Sequence, residues 1–293
     1  MTITWERLPH RAKFDLLFRQ FRELGHVLIA YSGGVDSTLL MKVGTLALGD
    51  RCQGVIARSE TLTPDEYRFA MAIAGDHCFN LKTIEYSELA IENYAANPSN
   101  RCYFCKHELY DQLTQVGREL GIRVIVNGDN ADDAGDYRPG AKAAEEFQVV
   151  SPLRDAELGK QEIRDLARAL GLANWDKPSS PCLSSRIAYG LEIDTEKLRQ
   201  VSEGEKLLRR LGFRQVRVRH HGDLARIEVP AAQLEQLMQP EVREQVAAHL
   251  KSLGFKFTTV DLLGYRTGSL NAMLPEAQIQ SATQANATAA HPQ

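Results

Sequence analysis

Six consecutive residues, Ser32-Gly33-Gly34-Val35-Asp36-Ser37, carry the clearest chemistry in this chain. They follow the apolar run Val27-Leu28-Ile29-Ala30-Tyr31 and precede the helical spacing of Leu39, Leu40, Met41 and Val43, with the helix expected to open at Ser37. Paired glycines let backbone approach an anion with no Cβ in the way, and the unpaired N–H groups of a helix start point toward it. Ser32 and Ser37 add hydroxyls, and Asp36 can hold a magnesium ion against phosphates. The lysine of a Walker A loop is missing, so this is a phosphate cradle of another kind. The plain alternative is a glycine-rich turn without a ligand.

Sulfur chemistry is the second theme. Cys102-Tyr103-Phe104-Cys105 places two thiols three positions apart at a helix start, where they can share a metal or form a redox pair. Zinc with His107, a redox disulfide and two unrelated cysteines all fit that spacing. Cys182 lies in Pro178-Ser179-Ser180-Pro181-Cys182-Leu183-Ser184-Ser185-Arg186, which has the look of an active-site loop. Three thiolates can hold a four-iron cluster by three irons and leave the fourth open. Cys52 and Cys78 read as small buried core residues.

Two charged stretches complete the candidates. The acidic run Asp129 to Gly140 contains several carboxylates that can ligate magnesium, with Arg138 among them; a solvated turn rich in capping residues fits as well. In Gln215-Val216-Arg217-Val218-Arg219, alternation puts Arg217 and Arg219 on one face while Val216 and Val218 face the core. Two guanidinium forks side by side suit a phosphate or carboxylate, unless they belong to a solvated strand face balanced by Glu228.

The elements that must position these residues alternate between strand and helix. Strands are expected at 27–31, 54–57, Leu81–Glu85 and 124–127, with helices after the glycine loop and at 64 onward, 103–120 and 159–170. Thr63-Pro64-Asp65-Glu66 has a threonine cap, a first-turn proline and the glutamate of a capping box. This order predicts an α/β fold, a parallel sheet with helices on both faces. Ligands in such sheets sit beyond the carboxyl ends of the strands, where Ser32, Ser59, Asn127 and Gly128 fall. After a long ordered loop at 174–190, a helix at 195–211, strands at 215–219 and 225–229, a helix at 241–250 and a strand at 255–260 form a small C-terminal α+β domain. The expected units are 1–175, a loop and linker at 176–192, the second domain at 193–277 and a disordered tail at 278–293.

Bulk properties narrow the partners. The chain has 293 residues, 43% apolar and 25% charged, which is a globular profile with a real core. A net charge of −3 gives no global field for indiscriminate nucleic-acid binding. Met1 to Trp5 has no basic-then-apolar pattern and no apolar run reaches membrane-spanning length, so the cytoplasm is the expected address. Five cysteines, an odd number, favour free thiols, metal ligands or catalytic sulfur over a disulfide framework.

The glycine loop resembles the signature of the PP-loop ATP pyrophosphatases, which cleave ATP between its α- and β-phosphates to adenylylate a substrate oxygen. The order of that loop, the Cys102/Cys105 pair, Gly135-Asp136-Tyr137-Arg138-Pro139-Gly140, Trp175 to Arg186 and Val216-Arg217-Val218-Arg219 resembles the LarE family over roughly 14–274. These ATP-dependent sulfur transferases build the nickel-pincer nucleotide cofactor of lactate racemase. The resemblance implies adenylylation of a carboxylate of pyridinium-3,5-biscarboxylic acid mononucleotide, then replacement of AMP by sulfur to give a thiocarboxylate. It implies ATP and Mg2+ at Ser32, Gly33, Gly34, Asp36 and Ser37, with Ser59, Asn127 and Gly128 around them. It places Glu205, Arg217 and Arg219 in the substrate phosphate and metal region, and Arg138 and Arg186 are further substrate candidates.

Some members of that family surrender the sulfur of a single cysteine. Aligning on Trp175 and Ser184-Ser185-Arg186 puts that position at Pro181, so the chain resembles the other subgroup. There Cys102, Cys105 and Cys182 hold a [4Fe-4S] cluster whose open iron carries the donated sulfide, with Cys182 and Asp36 as catalytic residues. The family also implies a homo-oligomer, a hexamer being one form, and no membrane partner. Competing readings are a PP-loop tRNA thiolase, opposed by the acidic charge and lack of an RNA-binding appendage, and an amidotransferase, for which no glutaminase unit fits. A nucleotide- or metal-binding protein without turnover is the non-enzymatic alternative.

Overall fold

The computed structural model describes residues 5–135 and 139–275. The first half of the chain reads α1 (Arg11–Leu24), β1 (Val27–Ala30), α2 (Val35–Leu48), β2 (Cys52–Arg58), α3 (Pro64–Asp76), β3 (Leu81–Glu85), α4 (Arg101–Leu120), β4 (Val124–Val126), α5 (Gly140–Glu146), α6 (Pro152–Asp155) and α7 (Lys160–Ala169). The four strands form one parallel sheet in the order β3-β2-β1-β4. Period-two alternation divides β1 between two cores: Val27 and Ile29 pack with Phe14, Leu39 and Ile163 on one face, and Leu28 packs with Tyr110 and Leu113 on the other. Helices cover both faces, as the alternating pattern predicts.

The expected cap of α3 forms, with Thr63 Oγ1 accepting the Glu66 N–H at 3.1 Å. Cys52 is buried against Gly44, where a Cβ would stand 2.6 Å from its sulfur. Cys78 is not a core residue. Past the end of α3 it takes a left-handed φ of 53° and turns outward, leaving Phe79 to fill the core.

The second unit contains α8 (Thr195–Arg210), β5 (Arg217–His221), β6 (Leu224–Glu228), α9 (Leu234–Met238), α10 (Pro240–Ser252) and β7 (Phe257–Val260). Its sheet runs β5-β6-β7, antiparallel then parallel. β5 begins two residues later than expected because Arg217 pairs with Glu228, and Pro230 soon after cannot extend the ladder. β7 also starts late, since the Phe255 N–H is spent closing α10 on the Leu250 carbonyl. The short α9 has no counterpart in the sequence reading.

Between the units, 174–190 is more than a linker. It makes a 3₁₀ turn at Leu183–Arg186, buries Leu183 and Ile187 with Tyr94, Leu198 and Val201, and bridges Ile187 to His220 of β5. Its anchor is the fully buried pair of Arg186 Nε and Glu205 Oε1 at 2.8 Å. Glu205 also accepts the Val218 N–H at 3.2 Å and pairs with Arg209. Burial pulls the Glu205 pKa up, but Arg186, then Arg209 and Arg217, outweigh it and hold it below the ordinary value. Glu205→Ala strands Arg186 without a counter-charge and is expected to cost about 3–5 kcal/mol. Because the folded pKa is lowered, the stability Glu205 supplies is complete above about pH 4.3 and is lost as pH falls through the lower folded value. Thermal melts against pH check both points. A variant as stable as the wild type, with the same acid limb, contradicts them.

Candidate nucleotide and sulfur site

β1 runs into Ser32 and Gly33, with Gly34 as the extended N-cap of α2. The helix opens at Val35 rather than Ser37, so Asp36 and Ser37 lie in its first turn and Asp36 is half-buried. Gly33 has two independent requirements for glycine: a φ of +69°, and a position where a Cβ would stand 2.5 Å from the Ala70 Cβ. The turn is held from within by Ser37 Oγ, which accepts the Ser32 N–H at 3.2 Å and donates to the Gly34 carbonyl at 3.2 Å. Behind it the buried Asn174 Nδ2 donates to the Gly33 carbonyl at 3.1 Å and to Thr38 Oγ1 at 2.9 Å. Nothing in the sequence reading singled out Asn174.

Gly128 sits directly over this turn, its missing Cβ 3.4 Å from the Asp36 Cβ and the Ser37 nitrogen. Asn130 Nδ2 reaches Asp36 Oδ2 at 3.5 Å. Asn127 is different: its carboxamide is buried on Tyr110, Asp129 and Ser151 and shapes the strand end from inside. In the acidic run, Asp132 accepts the Lys160 N–H at the start of α7 at 2.7 Å, a capping role, and Asp133 forms an ion pair with Lys160 Nζ at 3.2 Å. Arg138 lies outside the described residues, as does the expected disordered tail.

Cys102, Cys105 and Cys182 lie near enough to influence one another electrostatically. Cys102 and Cys105 occupy the first turns of α4, and Cys182 arrives on the loop, tied to the post-β2 segment by the Leu183 N–H on the Thr61 carbonyl. Burial, then Glu88 and Cys182, push the Cys105 thiol well above its usual pKa. Burial raises Cys182 as well, and Arg101 partly opposes it while Cys102 adds to it. All five cysteines are free thiols. Among the described residues, no three or more His, Cys, Asp or Glu side chains gather as a group that could hold a metal ion.

Glu88, absent from the sequence candidates, is the hub of this cluster. Its carboxylate accepts from Tyr94 OH at 2.5 Å, from Ser59 Oγ at 3.1 Å and from the Cys105 thiol at 3.6 Å. Ser59 therefore faces the thiols rather than the glycine loop.

Arg217 and Arg219 do not form a solvated face; they are 3% and 5% exposed. Loop 179–189 covers them, with Arg217 Nη2 donating to the Ser179 carbonyl at 2.6 Å and Arg219 Nη1 to the Ser185 carbonyl at 2.8 Å. Arg219 pairs with Glu228 at 2.8 Å, whereas Arg217 lies 5.1 Å from the Tyr265 ring centre. Burial, then Arg186, lower the Arg217 guanidinium to about 10, so it stays charged at neutral pH. Arg101, Arg217 and Arg219 line one cavity of about 160 Å³, with Tyr189, Tyr265 and Ser269. Arg186 and Glu205 spend their charge on each other instead.

No family model matches the chain. A protein of uncharacterised function from Synechocystis sp. is 45% identical over 90% of this chain and 98% of its own length. The pyridinium-3,5-bisthiocarboxylic acid mononucleotide synthase of Lactiplantibacillus plantarum is 37% identical over 90% of this chain and 95% of its own. The chain belongs to the LarE family. A subunit of the glutamine-hydrolysing GMP synthase of Pyrococcus furiosus is 25% identical over 65% of the chain and 66% of its own length, which places the LarE fold within the wider PP-loop superfamily. No helix among the described residues is long and apolar enough to cross a membrane.

Gly33→Ala tests the loop geometry directly. The added Cβ both meets Ala70 and forces a left-handed alanine, a strain of order 1–3 kcal/mol. ATP affinity, read by calorimetry, should fall at least tenfold, whereas Gly75→Ala, where a Cβ meets nothing within 4 Å, should leave it unchanged. Equal affinities in the two variants would contradict the geometry.

Proposed function

We propose that this chain activates a carboxylate of pyridinium-3,5-biscarboxylic acid mononucleotide with ATP and exchanges an oxygen for sulfur, giving a thiocarboxylate. The carboxylate oxygen attacks the α-phosphorus and pyrophosphate leaves. Sulfide then adds to the acyl carbon and AMP leaves. The observation that carries this reading is the cavity lined by three buried arginines, one of which, Arg101, has its Nη2 3.9 Å from the Cys102 sulfur. The LarE relative supplies the substrate, and the PP-loop relatives support the use of ATP.

Residue roles follow from the geometry. The Ser32 to Gly34 backbone and the α2 N-terminus hold the phosphates, and Asp36 in the first turn is assigned to magnesium. Arg217 and Arg219 hold the substrate phosphate through charge-assisted bonds. The donor set fits a [4Fe-4S] cluster: three unbridged thiols from two chain segments, with the Arg101 guanidinium beside them to offset thiolate charge. A cluster on Cys102, Cys105 and Cys182 supplies, when bound, an open iron that can carry the sulfide to be donated. Glu88 and Tyr94 fix the thiol-bearing turn, and the loop shields it from bulk water.

Two measurements test the reading. Asp36→Ala should slow AMP formation about a hundredfold or more while the fold survives; a wild-type rate would remove the glycine loop as the ATP site. Protein purified without oxygen should be brown, with about four irons and matching sulfide. Cys102→Ala, Cys105→Ala and Cys182→Ala should each lose colour and sulfur transfer but retain pyrophosphate release, and the exposed Cys78→Ala should lose neither. Colourless, iron-free protein that performs one turnover with loss of H₂S from Cys182 would replace the cluster with sacrificial chemistry.

A further inference from the structure

Buried guanidiniums normally sit against carboxylates, because an unpaired buried charge is costly. Arg186 has Glu205 and Arg219 has Glu228, each at 2.8 Å. Arg101, 3% exposed, is different. Its Nη1 donates to the Asn97 Oδ1 at 2.5 Å and to the Ser184 carbonyl at 3.0 Å, and its Nη2 lies 3.9 Å from the Cys102 sulfur. Among the described residues it forms no ion pair with a carboxylate. Neutral acceptors fix its orientation, and no carboxylate offsets its charge, the nearby Cys102 and Cys182 thiols doing so only when ionised. Arg217 likewise forms no ion pair with a carboxylate among the described residues, and Arg219 Nε is buried with no hydrogen-bond partner. All three side chains line the one cavity, which therefore suits a ligand with more than one negative charge.

Position separates their roles. Arg217 and Arg219 come from the second sheet, whereas Arg101 is the residue before Cys102 and marks the sulfur end of the cavity. We propose that Arg101 is the specificity residue that reads a ring carboxylate of the substrate, holding it at the thiols while Arg217 and Arg219 hold the phosphate. This rests on the mononucleotide reading above. A guanidinium fork matches a carboxylate with two parallel N–H···O bonds but gains no charge pairing from a carboxamide. An anionic pyridine mononucleotide is thus selected over its neutral amide before any chemistry begins.

Binding of three probes to the full-length protein tests this: nicotinic acid mononucleotide, nicotinamide mononucleotide and ribose 5-phosphate. The wild type should prefer the acid over the amide by roughly tenfold to a hundredfold, the range of a charge-assisted contact. Arg101→Gln should abolish that preference, the acid losing at least tenfold more affinity than the amide or ribose 5-phosphate. Arg101→Lys, which keeps the charge without the fork, should retain a partial preference and serves if the glutamine variant does not fold. A preference that survives in the variants, or a parallel loss for all three probes, would overturn the assignment. Ribose 5-phosphate binding that is lost in Arg217→Ala, with no acid preference in the wild type, would overturn the Arg101 role and leave the mononucleotide reading standing. Failure of all three probes to bind the wild type would overturn both.

Discussion

Four buried guanidiniums hold a single loop, and the rest of the site depends on that grip. Arg217 takes the Ser179 carbonyl, Arg186 those of Pro181 and Cys182, Arg101 that of Ser184 and Arg219 that of Ser185. A loop rich in serine and proline has no ladder to satisfy its carbonyls once it is buried, and each must find a donor. Arginine supplies several donors in a rigid fork, so one side chain can fix two or three backbone groups. The position of Cys182 is therefore set by residues of both structural units: Arg101 from α4, Arg217 and Arg219 from β5, and Arg186 through Glu205 on α8.

That concentration of positive charge is balanced only in part. Glu205 and Glu228, both fully buried, each serve two arginines, Arg186 with Arg209 and Arg219 with Arg226. Among the described residues, Arg101 and Arg217 have no such partner, and both face the cavity. The charge surplus and the void coincide, which is the electrostatic arrangement expected of a site for a multiply charged anion.

The glycine turn and the loop that carries Cys182 are linked by chain continuity. Asn174 backs the Gly33 carbonyl, and the segment that leaves it carries Cys182 eight residues later. Ser59, at the end of the neighbouring strand, joins the other side through Glu88 to Cys105. The glycine turn at one strand end and Cys105 beside the next thus share one frame: a parallel sheet with its connecting turns fixed by buried side chains. Misplacement of either centre would be transmitted through Asn174 or Glu88.

The sequence by itself determined the local features of this protein. The glycine turn, the strand and helix order, the Thr63 cap and the cysteine pair were legible because they depend on neighbours a few residues apart: periodicity, capping and glycine's freedom at positive φ. Only the tertiary structure decided which side chains face one another. Alternation put Arg217 and Arg219 on one face but could not show that the loop at 179–189 would bury it. Glu205 and Arg186 read as site residues, but nothing local could show that they pair with each other, 19 positions apart. Glu88, Arg101 and Asn174 carry no motif at all, because their importance comes from contacts made across the sheet edge by segments up to 141 residues apart. Local preference writes the elements into the chain; the pairing of buried charges and polar groups exists only once those elements have packed.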